Sequence, residues 1–317
     1  MLEDQFENNQ DKSTSGYTSE RKFGTVLTQS IVTRRILSMK SMTVPGVVNK
    51  EPLVDLYTDM YQTLHSIEAV NIARTDYMSA QPDINSNMRA ILIDWLVSIQ
   101  YKMRFSGETL FITANLIDRY LEIVQISRKD LQLLGICAML IACKYEETVV
   151  PNIKDLVYIT ADAYNKDQVL EMELKIVSQL KFNLASVTCL RFIERYSDLL
   201  GFSQREYFLA RYFSELSLLD YHFIQYKPSA LASACVYLAS KYRGHGTNAC
   251  FQSFIPYFYN EIKDCVLDLV RLINKYKKCS LQAIKSKYAL ESYFEVSLIP
   301  DNPYLLEESI LNETEYY

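Results

Sequence analysis

From about residue 87 onward, apolar side chains recur at helical rather than alternating spacing. Five such stretches follow one another, at about 87–103, 108–123, 128–147, 152–163 and 166–180, each with the i, i+3, i+4 rhythm of an amphipathic helix. The third is the most apolar. Between Gln132 and Lys144 only Gly135 breaks the run of larger apolar and small side chains, so this helix is predicted to run through the centre of a bundle. Upstream, Pro52 opens an amphipathic pattern (Leu53, Leu56, Met60, Leu64, Ile67), as proline prefers the start of a helix. The polar turn from Gln81 to Asn87 offers Asn85, Ser86 and Asn87 as candidate caps for the next helix.

The stretch MRAILIDW, Met88–Trp95, is apolar on two faces when placed at 100° per residue. Met88, Ile91, Leu92, Trp95 and Ile99 share one arc. Ile93, Leu96 and Val97 share a second with Arg89, and only a strip carrying Asp94 and Ser98 is plainly polar. One apolar face seats a helix on a core, so the second must meet another element or a ligand. Pattern alone admits both a helix buried on all sides and a helix that shows its Trp95 face.

The chain then repeats itself. Leu131–Tyr145 (LQLLGICAMLIACKY) matches Pro228–Tyr242 (PSALASACVYLASKY) at an offset of 97 residues, with Leu134 at Leu231, Ala142 at Ala239, Lys144 at Lys241 and Tyr145 at Tyr242. The same offset sets Trp95 at Phe192 and Leu96 at Ile193. Two five-helix units in tandem are predicted, with cores at about 87–182 and 184–281. The pair Glu146-Glu147 becomes Arg243-Gly244 in the second copy, so whatever those charges support belongs to the first. Residues 1–48 are polar, rich in Ser, Thr, Asn and Gln, and predicted to be disordered. The expected organisation is a disordered segment at 1–48, a helix and linker at 49–86, the two units at 87–182 and 183–290, and a loose acidic tail at 291–317.

Composition narrows the class. Hydrophobic residues make up 49% of the 317, and glycine and proline number eight each, which favours long helices. A net charge of −5 argues against general binding to nucleic acid or an anionic membrane. The longest apolar run, Leu133–Cys143, is too short to span a bilayer, and no signal-peptide core appears at the N-terminus. The seven cysteines, Cys137, Cys143, Cys189, Cys235, Cys250, Cys265 and Cys279, form no CxxC pair and suit reduced thiols in the cytosol or nucleus. Phosphate-loop, dinucleotide and nucleophile-elbow motifs are absent, and His65, His222 and His245 lie far apart. No metal or other cofactor and no enzyme chemistry is expected; the residues describe an all-α interaction protein.

Two charges sit in apolar settings. Arg89 lies on the core arc of its helix and Asp118 in the run from Ile112 to Leu121. A buried charge without a partner costs several kcal/mol, so the two are predicted to pair. Lys144 closes the most buried helix, where a cation complements the macrodipole. Glu173 is one exposed-looking acid among several.

MRAILIDWLV (88–97), LQLLG (131–135), KYEE (144–147), YIT-D-Y (158–164) and LEMELKIV (170–177) resemble the cyclin box of the mitotic cyclins, over about residues 52–290. The resemblance implies tandem five-helix cyclin boxes and a regulatory subunit of a cyclin-dependent protein kinase, acting at the onset of mitosis in nucleus and cytoplasm. Arg89, Asp118, Leu133, Lys144 and Glu173 match the five most characteristic positions. Lys144 and Glu173 match the pair that bonds main-chain groups beside the kinase C helix. Ile141, Val177, Phe182, Leu184 and Met60 match the apolar kinase-facing surface. Met88, Ile91, Leu92, Trp95, Leu131 and Gln132 match the groove that docks Arg-x-Leu segments of substrates and inhibitors. Ser98 stands where A-type cyclins carry a glutamate facing the docked arginine. Arg34 and Leu37 fit a minimal Arg-x-x-Leu degradation signal, which makes ubiquitin-ligase machinery an expected partner. The rival class is a cyclin-fold transcription factor similar to factor IIB, which binds nucleic acid and polymerase. Its members carry an N-terminal zinc ribbon and a basic surface; this chain has no cysteine before Cys137 and is acidic.

Overall fold

In the computed structural model, residues 51–242, 255–277 and 279–298 are described, and among them there are helices and no strand. The first helix, α1 (Glu51–Ile67), is followed by a 3₁₀ turn at Tyr77–Ala80. Then come α2 (Ser86–Met103), α3 (Gly107–Ile123), α4 (Leu131–Glu146), α5 (Ile153–Ile159) and α6 (Lys166–Gln179), which form the first unit. The second comprises α7 (Cys189–Leu200), α8 (Gln204–Ser217), a 3₁₀ turn at Tyr221–Gln225, α9 (Pro228–Tyr242) and α10 (Tyr259–Tyr276). A final short helix, α11 (Ala283–Tyr288), leads into 3₁₀ turns at Glu291–Tyr293 and Val296–Leu298. The segment 1–48, with Arg34 and Leu37, lies outside the described residues, as does 299–317.

The starts of these helices follow from local chemistry. The Asn85 side chain accepts from the Met88 amide at the head of α2. Asn165 with Gln168, and Ser203 with Glu206, form reciprocal capping boxes on α6 and α8. In each unit the helix richest in small residues is central: α4 packs against α2, α3 and α6, and α9 against α7, α8 and α10. Gly135 shows why size matters there. A Cβ at this position would lie 2.7 Å from Leu92 Cδ1, so a larger residue would have to displace the Leu92 side chain of α2.

Buried ion pairs fasten the units together. Arg89 Nε and Nη2 donate to the two oxygens of Asp118 at 2.6 and 2.8 Å. The Tyr77 hydroxyl donates to the same carboxylate at 2.7 Å, and Arg89 Nη1 reaches the Leu218 carbonyl beyond α8 at 2.7 Å. The charge is thus paired and its hydrogen bonds are filled, as burial demands. A second pair joins α11 to α8. Lys287 Nζ donates to both oxygens of Glu215 at 2.7 and 2.8 Å and to Gln100 Oε1 of α2 at 2.9 Å. The side chains of Lys287 and Glu215 are 1% and 0% exposed. The loose tail expected from residue 291 is corrected in part: residues 291–298 form two 3₁₀ turns, and Val296, which opens the second, is buried.

α1 packs on the second unit. His65 and Tyr61 lie on Phe192, with ring centroids 4.6 and 6.4 Å apart. Just past α1, Glu68 accepts from the Ser229 amide at 2.8 Å and its hydroxyl at 2.7 Å, an anion at the N-terminal turn of α9 where the helix dipole favours it.

Candidate functional site

α6 carries its charge and its apolar residues on two sides. Val169, Met172 and Ile176 face the core, while Glu173, Val177, Leu170 and Leu174 fall together on the flanking arc at 100° per residue. Leu170 and Leu174 are exposed and Val177 is half-buried. The last turn of α4 lies beside this arc, since Lys144 Nζ donates to Glu173 Oε1. Lys144 is 48% exposed and Glu173 14%. Tyr145, next to the lysine, is exposed as well.

The chain leaves α6 through two residues in the left-handed region, Lys181 (φ 52°) and Phe182 (φ 59°). This turn throws the Phe182 ring outward, where it is 74% exposed. Leu184 follows half-buried, and Met60 of α1 is exposed. Ile141 does not belong to this surface. It is 2% exposed, because it points into the α4 core one turn before the helix emerges, and its assignment as a contact residue is corrected.

The second candidate face is on α2. Met88, Ile91 and Trp95 are half-buried, and Gln132 of α4 is half-buried too. Leu92 and Leu131 are each 3% exposed, so they are core residues rather than groove lining. Leu92 fills the space that Gly135 leaves open. The strip read as plainly polar is also altered. Asp94 Oδ1 accepts from the Ala283 amide at 3.0 Å, so α11 covers it, and burial pushes its carboxyl up to about 6.

The acids after Lys144 act structurally. Glu147 accepts from the Ser106 amide at 2.6 Å and from the Thr109 hydroxyl, pinning the α2–α3 corner. Glu146 faces Arg191 of α7 at 3.5 Å, and Arg191 also pairs with Glu108 at 3.1 Å. Their support therefore reaches the second unit, not the first alone. Near this seam burial, with the neighbouring Glu108 charge, pushes Glu194 up to about 7.

A family model of the cyclin N-terminal domain matches residues 59–185, and one of the cyclin C-terminal domain matches residues 187–302. The G2/mitotic-specific cyclin-B of Hydra vulgaris is 37% identical over 243 residues, covering 76% of this chain and 67% of that protein. The chain belongs to the cyclin family. Among its mitotic relatives, the human G2/mitotic-specific cyclin-B2 is 38% identical over 255 residues, 80% of this chain and 64% of its own length. Cyclin-A1-1 of Oryza sativa subsp. japonica is 38% identical over 268 residues, 82% of this chain and 53% of its own. This cyclin thus spans about half to two-thirds of the curated relatives it matches. A viral cyclin from herpesvirus saimiri shares the fold, with TM-score 0.62 at 17% identity over 67% of this chain and 96% of that one. A chain of the yeast RNA polymerase II CTD kinase complex does so too, with TM-score 0.53 at 15% identity over 71% and 81%.

The first box brings Lys144 to Glu173, with Val177 one turn further along α6 and Phe182 and Leu184 in the connection after it, while Met88, Ile91 and Trp95 share one arc of α2. Sequence reading overlooked Tyr145, Leu170 and Leu174. The signal was present: 170, 174 and 177 are helical neighbours left over once the core arc of α6 is filled. Among the described residues no cluster of side chains fits a metal ion, and no helix is long and apolar enough to cross a membrane.

Proposed function

We propose that this cyclin is the regulatory subunit of a cyclin-dependent serine/threonine protein kinase and acts at the onset of mitosis. The observation that carries the reading is the Lys144–Glu173 pair on a stretch of the first box where Tyr145, Leu170 and Leu174 are exposed. Leu174 adjoins Glu173 on α6, and Phe182 is exposed in the turn that ends that helix. A half-exposed ion pair amid uncovered leucine and phenylalanine is costly for a free surface and suited to an interface, where apolar area gives affinity and the charges fix register. Its relatives' designation as G2/mitotic-specific supports the timing.

The mechanism follows from differential binding. A cyclin that contacts one kinase conformation more strongly than another shifts the population toward it. Seated against the kinase C helix, the first box would favour the inward position that completes the Lys–Glu pair needed for phosphoryl transfer. The cyclin contributes contact free energy and no catalytic group. A second task, substrate choice, belongs to the half-buried face of Met88, Ile91, Trp95 and Gln132, which fits the leucine of an Arg-x-Leu segment. Ser98 offers no carboxylate to the arginine, so the leucine supplies most of the affinity. Turnover through ubiquitin ligation would act on the segment holding Arg34 and Leu37, and the sites of action are nucleus and cytoplasm. A factor IIB-like role has no observation in its favour.

The test is to titrate the purified chain into purified monomeric cyclin-dependent kinases and follow phosphorylation of a short Ser-Pro peptide. Saturable activation of at least one kinase is expected. No activation and no complex with any of them would overturn the reading.

A further inference from the structure

The turn that exposes Phe182 is strained. Lys181 and Phe182 both occupy the left-handed region, which costs a residue bearing a Cβ free energy and persists only where its surroundings over-determine it. Part of the restraint is local: the Phe182 amide donates to the Val177 carbonyl and the Lys181 amide to the Ser178 carbonyl, both at 3.0 Å, a helix-terminating pattern. The ring itself adds little, since it lies in solvent. The remaining restraint comes from far along the chain. Asn71 and Asn183 exchange side-chain hydrogen bonds, Asn71 Nδ2 to Asn183 Oδ1 at 3.1 Å and Asn183 Nδ2 to Asn71 Oδ1 at 2.7 Å. Asn71 Nδ2 also donates to the Ala185 carbonyl at 2.6 Å. From α3, Arg119 Nη2 donates to the Asn183 carbonyl at 2.8 Å and Asn115 Nδ2 to the Asn71 carbonyl at 2.7 Å. The connection after α1 and the connection between the boxes are thus locked to each other and to the first box.

We propose that Asn71 and Asn183 are positioning residues for kinase binding, an amide clamp that holds Phe182 in its projecting conformation and sets it in one frame with Met60 of α1. The inference rests on the kinase-binding reading above. An exposed amide pair adds little to global stability, but it decides how often the free chain presents the ring. If the clamp is removed, the binding-competent fraction falls and the apparent Kd rises in inverse proportion.

The experiment measures Kd for the full chain and the purified cyclin-dependent kinase that binds it most tightly. The variants are Asn71→Ala with Asn183→Ala, Phe182→Ala, and the triple combination. The paired asparagine variant should weaken binding about tenfold, the worth of one or two net hydrogen bonds, while its melting temperature moves by only about 2 °C. In that background Phe182→Ala should cost much less than it does alone, because the ring is no longer held in place. Amide hydrogen exchange at residues 182–184 of the free variant should accelerate while α6 keeps its protection. Unchanged Kd, additive effects of the two sets of changes, or unchanged exchange at 182–184 would each overturn the clamp. If Phe182→Ala alone leaves Kd unaltered, the kinase-binding surface itself is misassigned, and the clamp falls with it.

Discussion

The first helix of each cyclin box carries a second apolar face, and the two faces are treated differently. In the second box Phe192 is fully buried beneath His65 and Tyr61 of α1. At the matching repeat position of the first box Trp95 stays half-exposed, along with Met88 and Ile91. The contrast recurs at the other end of the repeat. Glu173 reaches the surface and meets Lys144, whereas Val270, 97 residues on, is buried. The chain covers Phe192 of its second box with its own α1, while Trp95 and Glu173 at the equivalent positions of the first box remain partly exposed. On the function proposed above, one fold serves as scaffold in one copy and as binding surface in the other.

Substitution at the paired positions tests that division most strongly. Phe192→Ala should destabilise the protein by about 3–5 kcal/mol, as loss of a buried aromatic does. Trp95→Ala should cost far less in a thermal or denaturant melt. Its loss should appear instead as a raised KM for substrates with a distant Arg-x-Leu segment, with short peptides unaffected. Equal melting shifts for the two would erase the distinction.

The buried pairs should be costly in both boxes. Arg89→Ala strands Asp118 and should cost roughly 3–5 kcal/mol, whereas Lys287→Ala leaves Glu215 with Arg211 at 3.9 Å and the Tyr288 hydroxyl at 2.7 Å and should cost less. Denaturant titration would check this, and a change below about 1 kcal/mol for Arg89→Ala would mean that water reaches the abandoned carboxylate.

A smaller effect follows from pH. Burial raises Asp94 from 3.8 to about 6 and Glu194 from 4.5 to about 7, so between those values the folded state binds more protons than the unfolded. Their contribution is fully present below about pH 4 and is lost as pH rises through about 6 for Asp94 and about 7 for Glu194. Asp94→Asn keeps an acceptor for the Ala283 amide and removes the titration. Its melting temperature should exceed that of the parent at pH 8 and approach it near pH 4, with Glu194→Gln behaving alike. Parallel pH curves would contradict the assignment. The smallest expected change is Lys181→Gly. It relieves one left-handed residue and should stabilise by up to about 1 kcal/mol in a denaturant melt.

Much of this was legible because helical periodicity and the repeat are local properties of the chain. The five helices of the first box, the central run from Leu131 and the Arg89–Asp118 pairing all follow from spacing and from the cost of a lone buried charge. The errors arose where depth decides. Ile141, Leu92 and Leu131 lie on helices that are apolar on more than one face, so the pattern could not say which side chains reach the surface. The Lys287–Glu215 pair and the Asn71–Asn183 clamp join residues 72 and 112 apart. Nothing in either local sequence marks a partner so far away, and residues 291–298 read as tail because their packing depends on α8.

The central claim is that the open surface of the first box activates a kinase. The direct measurement compares wild-type chain with the Lys144→Ala/Glu173→Ala variant as activators of one cyclin-dependent kinase, across a cyclin titration. Truncating a desolvated charge contact typically costs about 2–5 kcal/mol of binding. Half-maximal activation should therefore need at least about thirtyfold more of the variant, while its melting curve stays close to that of the parent. A variant that folds and activates at the same concentration as wild type would contradict the account.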